Sequence, residues 1–128
     1  MSVRDKLRVL VVDDMSTSRG IILQALDAFG IRQVEYAGDG EAALNSLSKR
    51  PVHMVISDYN MPKMDGLKLL HAIRSEAAMA KTGFILISGR SDPAVLEAAR
   101  KLRMNNFITK PFQHADLKAA IEAVVGRL

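Results

Sequence analysis

The chain contains no cysteine and no tryptophan, and only two tyrosines and four phenylalanines. Without cysteine it has neither a disulfide framework nor a thiolate metal site, which fits a cytosolic protein. The longest aliphatic runs, residues 9–12 and 84–87, are far too short to cross a bilayer. Residues 1–8 alternate charged and apolar side chains and offer no apolar stretch of signal-peptide length. A soluble, cytoplasmic protein with no membrane partner is expected. The scarcity of aromatics also bears on nucleic acids. The formal charge is +4 and the pI near 9.6, yet Lys and Arg are scattered, with no cluster interleaved with stacking rings. The balance reads as a solvated mixed surface, and no nucleic-acid partner is expected.

What is present is an ordinary globular composition, 48% hydrophobic and 25% charged. A chain of 128 residues is most simply one domain, here 1–128. It buries roughly two thirds of its unfolded surface and needs no disulfide or metal staple. Linkers, low-complexity tracts and long-period repeats are missing too.

Short aliphatic runs alternate with amphipathic stretches five times. Strands are predicted at 7–12, 33–37, 52–57, 83–88 and 106–109. The first helix follows Ser16 or Thr17 as cap, with Ile22, Ala25, Leu26 and Phe29 on one face, and Gly30 supplies a left-handed end. Asp39-Gly40 turns into a helix over about 40–49, which Pro51 stops. A third helix starts near Gly66 and carries Leu67, Leu70, Ile73 and Arg74. Asp92 caps the fourth, with Pro93 in its first position. The last places Leu117, Ala120, Ile121 and Val124 on one face. Strands alternating with helices imply parallel pairing and right-handed crossovers, hence an α/β fold. The first, third and fourth strands are aliphatic throughout, as a sheet covered on both faces requires. The second is the least apolar and belongs at an edge. The expected architecture is a three-layer α/β/α sandwich.

The polar residues at the strand ends carry the functional signal. Asp13-Asp14 ends the first strand, Asp58 the third, Ser88 the fourth and Lys110 the fifth. All are carboxyl ends, and open α/β sheets bind ligands in the crevice just outside them. With the first and third strands adjacent, Asp13, Asp14 and Asp58 crowd one volume, where three carboxylates do not all stay ionised unaided. Raised pKa values or a bound cation relieve this, and a hard divalent ion such as Mg²⁺ suits an oxygen-only cluster. Taken singly, Asp14, Asp58 and Ser88 read as turn, cap or loop residues, whereas Lys110 divides evenly between a surface lysine and a site residue. Their convergence at one sheet edge is what argues for a site.

The runs VLVVDD (9–14), SDYNMPKMDGL (57–67), LISG (86–89) and TKPF (109–112) resemble the receiver domain of response regulators. DDMSTSR (13–19) and the absence of an output domain resemble the stand-alone chemotaxis (CheY-like) members. The resemblance covers the whole chain. It implies a doubly wound five-stranded parallel sheet in the order 2-1-3-4-5, flavodoxin/CheY-like. It implies that Asp58 is the phosphoacceptor, attacking a phosphohistidine on a sensor histidine kinase. Asp14 and Asp58 would ligate Mg²⁺ directly, Asp13 through water, and Asn60 through its backbone carbonyl. Lys110 would pair with the acceptor and then with the phosphoryl group. Ser88 would move toward a phosphoryl oxygen, and a cis bond would precede Pro111. The only chemistry implied is self-catalysed phosphorylation and dephosphorylation of the aspartate, so the chain is not a turnover enzyme.

Several residues depart from the family pattern. Phe107 stands where many motor-binding members have Tyr, and Ser88 replaces the commoner Thr. Arg103-Met104-Asn105-Asn106 replaces a Gly-rich approach to the fifth strand, and Asn tolerates left-handed geometry. The expected switch couples Ser88, the 89–92 loop and Phe107 to the exposed face of the fourth predicted helix, fifth strand and last helix. That face would bind an effector such as the flagellar motor switch. From residue 88 onward the net charge is +3, so an acidic effector segment is expected at Arg100 and Lys101. Arg90 and Asn60 lie two residues beyond site residues, where members tune phosphoryl lifetime. Arg90 either shields the phosphoryl group or points into solvent. A phosphate sink or phosphorelay receiver without motor binding is the alternative. A hydrolase with an aspartyl phosphate lacks its cap insertion, and a flavin carrier lacks ring-sandwiching aromatics. A monomer is expected.

Overall fold

The computed structural model describes residues 2–89 and 92–128. Arg90 and Ser91 lie outside the described residues, and with them the central part of the 89–92 loop. Five strands, β1 (Arg8–Val12), β2 (Gln33–Ala37), β3 (Met54–Asp58), β4 (Gly83–Ser88) and β5 (Asn106–Thr109), form one sheet. All pair in parallel, in the order β2-β1-β3-β4-β5. Among the described residues the helices are α1 (Val3–Lys6), α2 (Ser16–Ala28), α3 (Gly40–Lys49), α4 (Gly66–Ser75), α5 (Pro93–Lys101) and α6 (His114–Val125).

Strand alternation sends successive side chains to opposite faces. Val9, Val11, Met54, Ile56, Ile85 and Ile87 point to one side, where Ile22, Ala25 and Leu26 of α2 and Leu117 and Ile121 of α6 cover them. Leu10, Val12, Val55, Phe84 and Leu86 point to the other, under Ala43 and Leu47 of α3, Leu69, Leu70 and Ile73 of α4, and Val95 and Ala99 of α5. β1, β3 and β4 are buried on both faces apart from Arg8, which accounts for their unbroken aliphatic runs. β2 is an edge, and its exposed Tyr36 and half-buried Glu35 fit that place.

Three local expectations are corrected. Neither Ser16 nor Thr17 caps α2. Met15 is the N-cap, because Asp13 Oδ1 accepts from the Met15 N–H at 3.0 Å and starts the helix one residue early. The third strand runs 54–58 rather than 52–57, so Asp58 is itself a strand residue. Before β5, the left-handed residue is Arg103 (φ 64), and neither Asn105 nor Asn106. Asn105 instead uses its side-chain carbonyl to accept from the Phe84 N–H at 2.7 Å. The short α1 was not anticipated. The Ser2 hydroxyl and N–H both donate to Asp5 Oδ2, at 3.0 and 3.3 Å, and close its single turn. No helix among the described residues is long and apolar enough to cross a membrane.

Candidate functional site

The strand order puts β1, β3, β4 and β5 side by side, so their carboxyl ends share one pole of the sheet. Val12 pairs with Ser57, Asp58 with Ile87, and Ser88 with Thr109. The residues that follow these pairs therefore converge. Carboxylate oxygens of Asp13, Asp14 and Asp58 all lie within 4.8 Å of one another. Asp13 and Asp58 are buried and Asp14 is exposed. Lys110 reaches in from the end of β5, its Nζ 2.9 Å from Asp58 Oδ1 and 3.8 Å from Asp13 Oδ2. Its backbone is fixed as well, since the Lys110 N–H donates to the Ser88 carbonyl at 2.8 Å. Ser88 is buried at the end of β4, beside this ladder. The Lys110-Pro111 bond is cis.

The loop after Asp58 is held closely. The Tyr59 N–H donates to the Ile87 carbonyl at 2.8 Å, and the Gly66 N–H returns to the Tyr59 carbonyl at 2.8 Å. A Cβ on Gly66 would stand 2.8 Å from the Asp58 carbonyl oxygen and 2.7 Å from Leu86 Cδ1. A glycine at this position lets α4 pack directly on the strand that carries the central carboxylate. Asn60, two residues past Asp58, is exposed in this loop. Phe107 is half-buried on the α5 side of β5, against the core formed there by Val95 and Ala99.

The electrostatics follow from this packing. Burial pushes the Asp58 carboxyl above the ordinary carboxylate range. The hydrogen bond and charge of Lys110 pull it back, while Asp13 and Asp14 push in the same direction as burial. Among the described residues, buried Asp13 Oδ2 has no hydrogen-bond donor. A fully buried oxygen without a donor is costly, and three convergent carboxylates are a donor set that hard divalent cations satisfy. The residues present therefore fit a cation of the Mg²⁺ type.

Two neighbours escaped the sequence reading. Lys110 Nζ donates to Ser18 Oγ at 2.8 Å. Arg19 Nη1 donates to the Asp13 carbonyl at 2.9 Å, and its guanidinium carbon lies 4.5 Å from the centroid of the Tyr36 ring. Beside Lys110 a groove of about 450 Å³ opens, with Met15, Ser18, Ile21 and Phe112 in its lining. Met15 and Ile21 are both largely exposed there. A cavity of about 500 Å³ between α3 and α4, lined by Leu44, Leu47, Ala72 and Met79, involves none of the site residues.

Comparison with known proteins yields a consistent set of relatives. Residues 9–122 match the family described as the response regulator receiver domain. A protein of Rhizobium etli named probable chemotaxis protein CheY is 44% identical over 128 residues, spanning 100% of this chain and 99% of its own length. Chemotaxis protein CheY-3 of Vibrio cholerae is 33% identical over 122 residues, 95% of this chain and 94% of that one. Among solved structures, the chemotaxis protein CheY4 of Vibrio cholerae superimposes with a TM-score of 0.86 at 28% identity. That match covers 92% of this chain and 98% of the other.

Proposed function

Because the chain belongs to the response regulator receiver domain family, we propose that Asp58 takes a phosphoryl group from the phosphohistidine of a sensor histidine kinase. Receiver domains serve two-component signalling as phosphoacceptors rather than as turnover enzymes. The observation that carries the assignment to Asp58 is the 2.9 Å contact between Lys110 Nζ and Asp58 Oδ1 inside the three-carboxylate cluster.

A carboxylate oxygen of Asp58 attacks phosphorus as the bond from phosphorus to the imidazole nitrogen breaks. The leaving imidazole keeps that electron pair and takes a proton from solvent. Such transfers need positioning and charge neutralisation more than covalent help from the protein. Lys110 supplies one positive charge beside the acceptor. Asp13, Asp14 and Asp58, with the Asn60 carbonyl, would hold Mg²⁺, which when bound offsets the charge of the phosphoryl oxygens. Ser88, at the adjacent strand end, offers a hydroxyl to the new phosphoryl group. The apolar groove beside Lys110 gives a donor protein a surface to rest on. Incubation with acetyl phosphate and Mg²⁺, followed by intact mass measurement, is expected to give one phosphoryl adduct on the wild type and none on Asp58→Asn. Equal adducts on both would discard the assignment.

The relatives named as chemotaxis proteins favour a cytoplasmic chemotaxis role, with the α5–β5–α6 face as the output surface. Movement of Ser88 toward the phosphoryl group would draw Phe107 inward and change that face. Arg100 at its rim already pairs with Glu97 at 3.4 Å on an exposed surface, where such a pair contributes little. Phe107 has no hydroxyl, which favours a second reading as a phosphate sink that drains the kinase without an effector. Pull-down with a flagellar motor switch peptide separates the two. Capture that rises with phosphorylation supports the output role, and unchanged background capture supports the sink.

A further inference from the structure

We propose that Ser18 is a positioning residue for phosphoryl transfer, holding the Lys110 ammonium over Asp58 through its hydroxyl. The proposal rests on the phosphoacceptor reading above. Lysine is a compact charge on a flexible four-carbon stem, and its ammonium has three donors to place. In this site one goes to Asp58 Oδ1 at 2.9 Å and one to Ser18 Oγ at 2.8 Å. Asp13 Oδ2 is 3.8 Å away and outside hydrogen-bond range. The backbone end of Lys110 is fixed to Ser88, so Ser18 and Asp58 together fix the far end of the side chain.

The two partners respond differently to the reaction. When Asp58 becomes an acyl phosphate, its carboxylate charge is lost to the new bond, and its own hold on the ammonium weakens. The Ser18 hydroxyl is neutral throughout and keeps its acceptor lone pairs. It therefore anchors the ammonium before, during and after transfer, when the charge to be neutralised has moved to the phosphoryl oxygens. Ser18 lies in the first turn of α2, directly after the segment that carries Asp13 and Asp14. One stretch of chain thus sets both the acidic pair and the lysine, and a misplacement of about 1 Å at such a centre can cost up to a hundredfold in rate.

The test compares Ser18→Ala with Ser18→Thr, since Thr retains the hydroxyl and Ala is the best helix former. With acetyl phosphate as donor, the limiting rate of Asp58 phosphorylation is expected to fall about tenfold in Ser18→Ala, about 1.4 kcal/mol of barrier. Half-saturating Mg²⁺ should stay unchanged, and Ser18→Thr should remain within about twofold of wild type. An unchanged rate in Ser18→Ala, or an equal fall in both variants, overturns the proposal. A second measurement needs no phosphoryl donor. The Lys110 ammonium signal in a lysine-selective proton–nitrogen NMR spectrum should be protected from solvent exchange in wild type and Ser18→Thr, and broadened in Ser18→Ala. A signal equally sharp in Ser18→Ala also overturns it. If the wild type takes no phosphoryl group while this signal behaves as expected, the phosphoacceptor reading fails and the positioning contact stands.

Discussion

At the residue scale, Asp58 is set against itself. The native state holds its carboxyl proton more tightly than the unfolded chain does, because burial outweighs the help of Lys110. For an acid raised in this way, ionisation costs stability. The penalty is absent below the unfolded pKa, grows as pH rises toward the folded pKa, and is complete above it. Asp58→Asn keeps an acceptor oxygen for Lys110 and removes the charge. In metal-free buffer at pH 7 the variant is expected to melt at a higher temperature than wild type. The gap should close as pH falls through the raised pKa toward the ordinary value near 3.8. A variant that melts at or below the wild-type temperature at pH 7 would mean that Lys110 more than compensates burial. The same scale explains what the sequence made legible. Asp13, Asp14, Asp58, Ser88 and Lys110 could be picked out because each stands at or just past the carboxyl end of a predicted strand. Ser18 could not, since nothing local marks a serine in a first helical turn as the partner of a lysine 92 positions away.

At the element scale, acidic residues set the helix starts. Asp39, Asp65 and Asp92 each accept a backbone N–H of the first turn, at 2.7, 2.9 and 2.9 Å. Asp92-Pro93 was readable as such a start, whereas Asp39 read as half of a turn. The four-residue α1 is too short to show any period. Arg74 was read only as part of a helical pattern, yet it ties the end of α4 to two loops. Its guanidinium donates to the carbonyls of Ala80, Thr82 and Arg103, at 3.1, 2.6 and 2.9 Å. No local pattern announces such a clamp, because the carbonyls it serves belong to backbone anywhere in the chain. Glycine spacing is equally silent about close approach, and two glycines separate the cases. Gly66→Ala forces a methyl against the Asp58 carbonyl and Leu86. It should cost about 1–3 kcal/mol of stability and slow phosphorylation by shifting the end of β3. Gly20→Ala meets nothing within 4 Å inside α2, and should stabilise by up to about 1 kcal/mol through helix propensity alone. Denaturant unfolding of the two variants checks both signs. A Gly66→Ala protein as stable as wild type would mean that α4 lifts away from β3 at little cost.

At the scale of the whole molecule, the parallel sheet gathers its strand ends at one pole and the charge gathers with them. The layering was legible from doubly buried strands, but the order β2-β1-β3-β4-β5 came from the family resemblance. Hydrophobic runs of similar character do not say which is the neighbour of which. The order matters energetically, since it brings three carboxylates together against one lysine. A domain that carries such a pole folds against its own repulsion unless a cation offsets it. Binding to the folded state alone stabilises by an amount set by mass action, about 2.7 kcal/mol at a hundredfold excess over Kd. For a chain of 128 residues, that corresponds to a rise of about 10 °C in Tm. Mg²⁺ is therefore expected to raise the melting temperature by about this amount at neutral pH, and a chelator to reverse it. The ligands must be ionised to bind, so the gain should vanish on acidification into the carboxylate range. Asp14→Asn, which removes an exposed member of the cluster without disturbing the core, should lower the apparent affinity and shift the rise to higher Mg²⁺. A melting temperature indifferent to Mg²⁺ in the wild type would mean that Lys110 alone balances the three carboxylates, and the cation would have to enter with the phosphoryl donor.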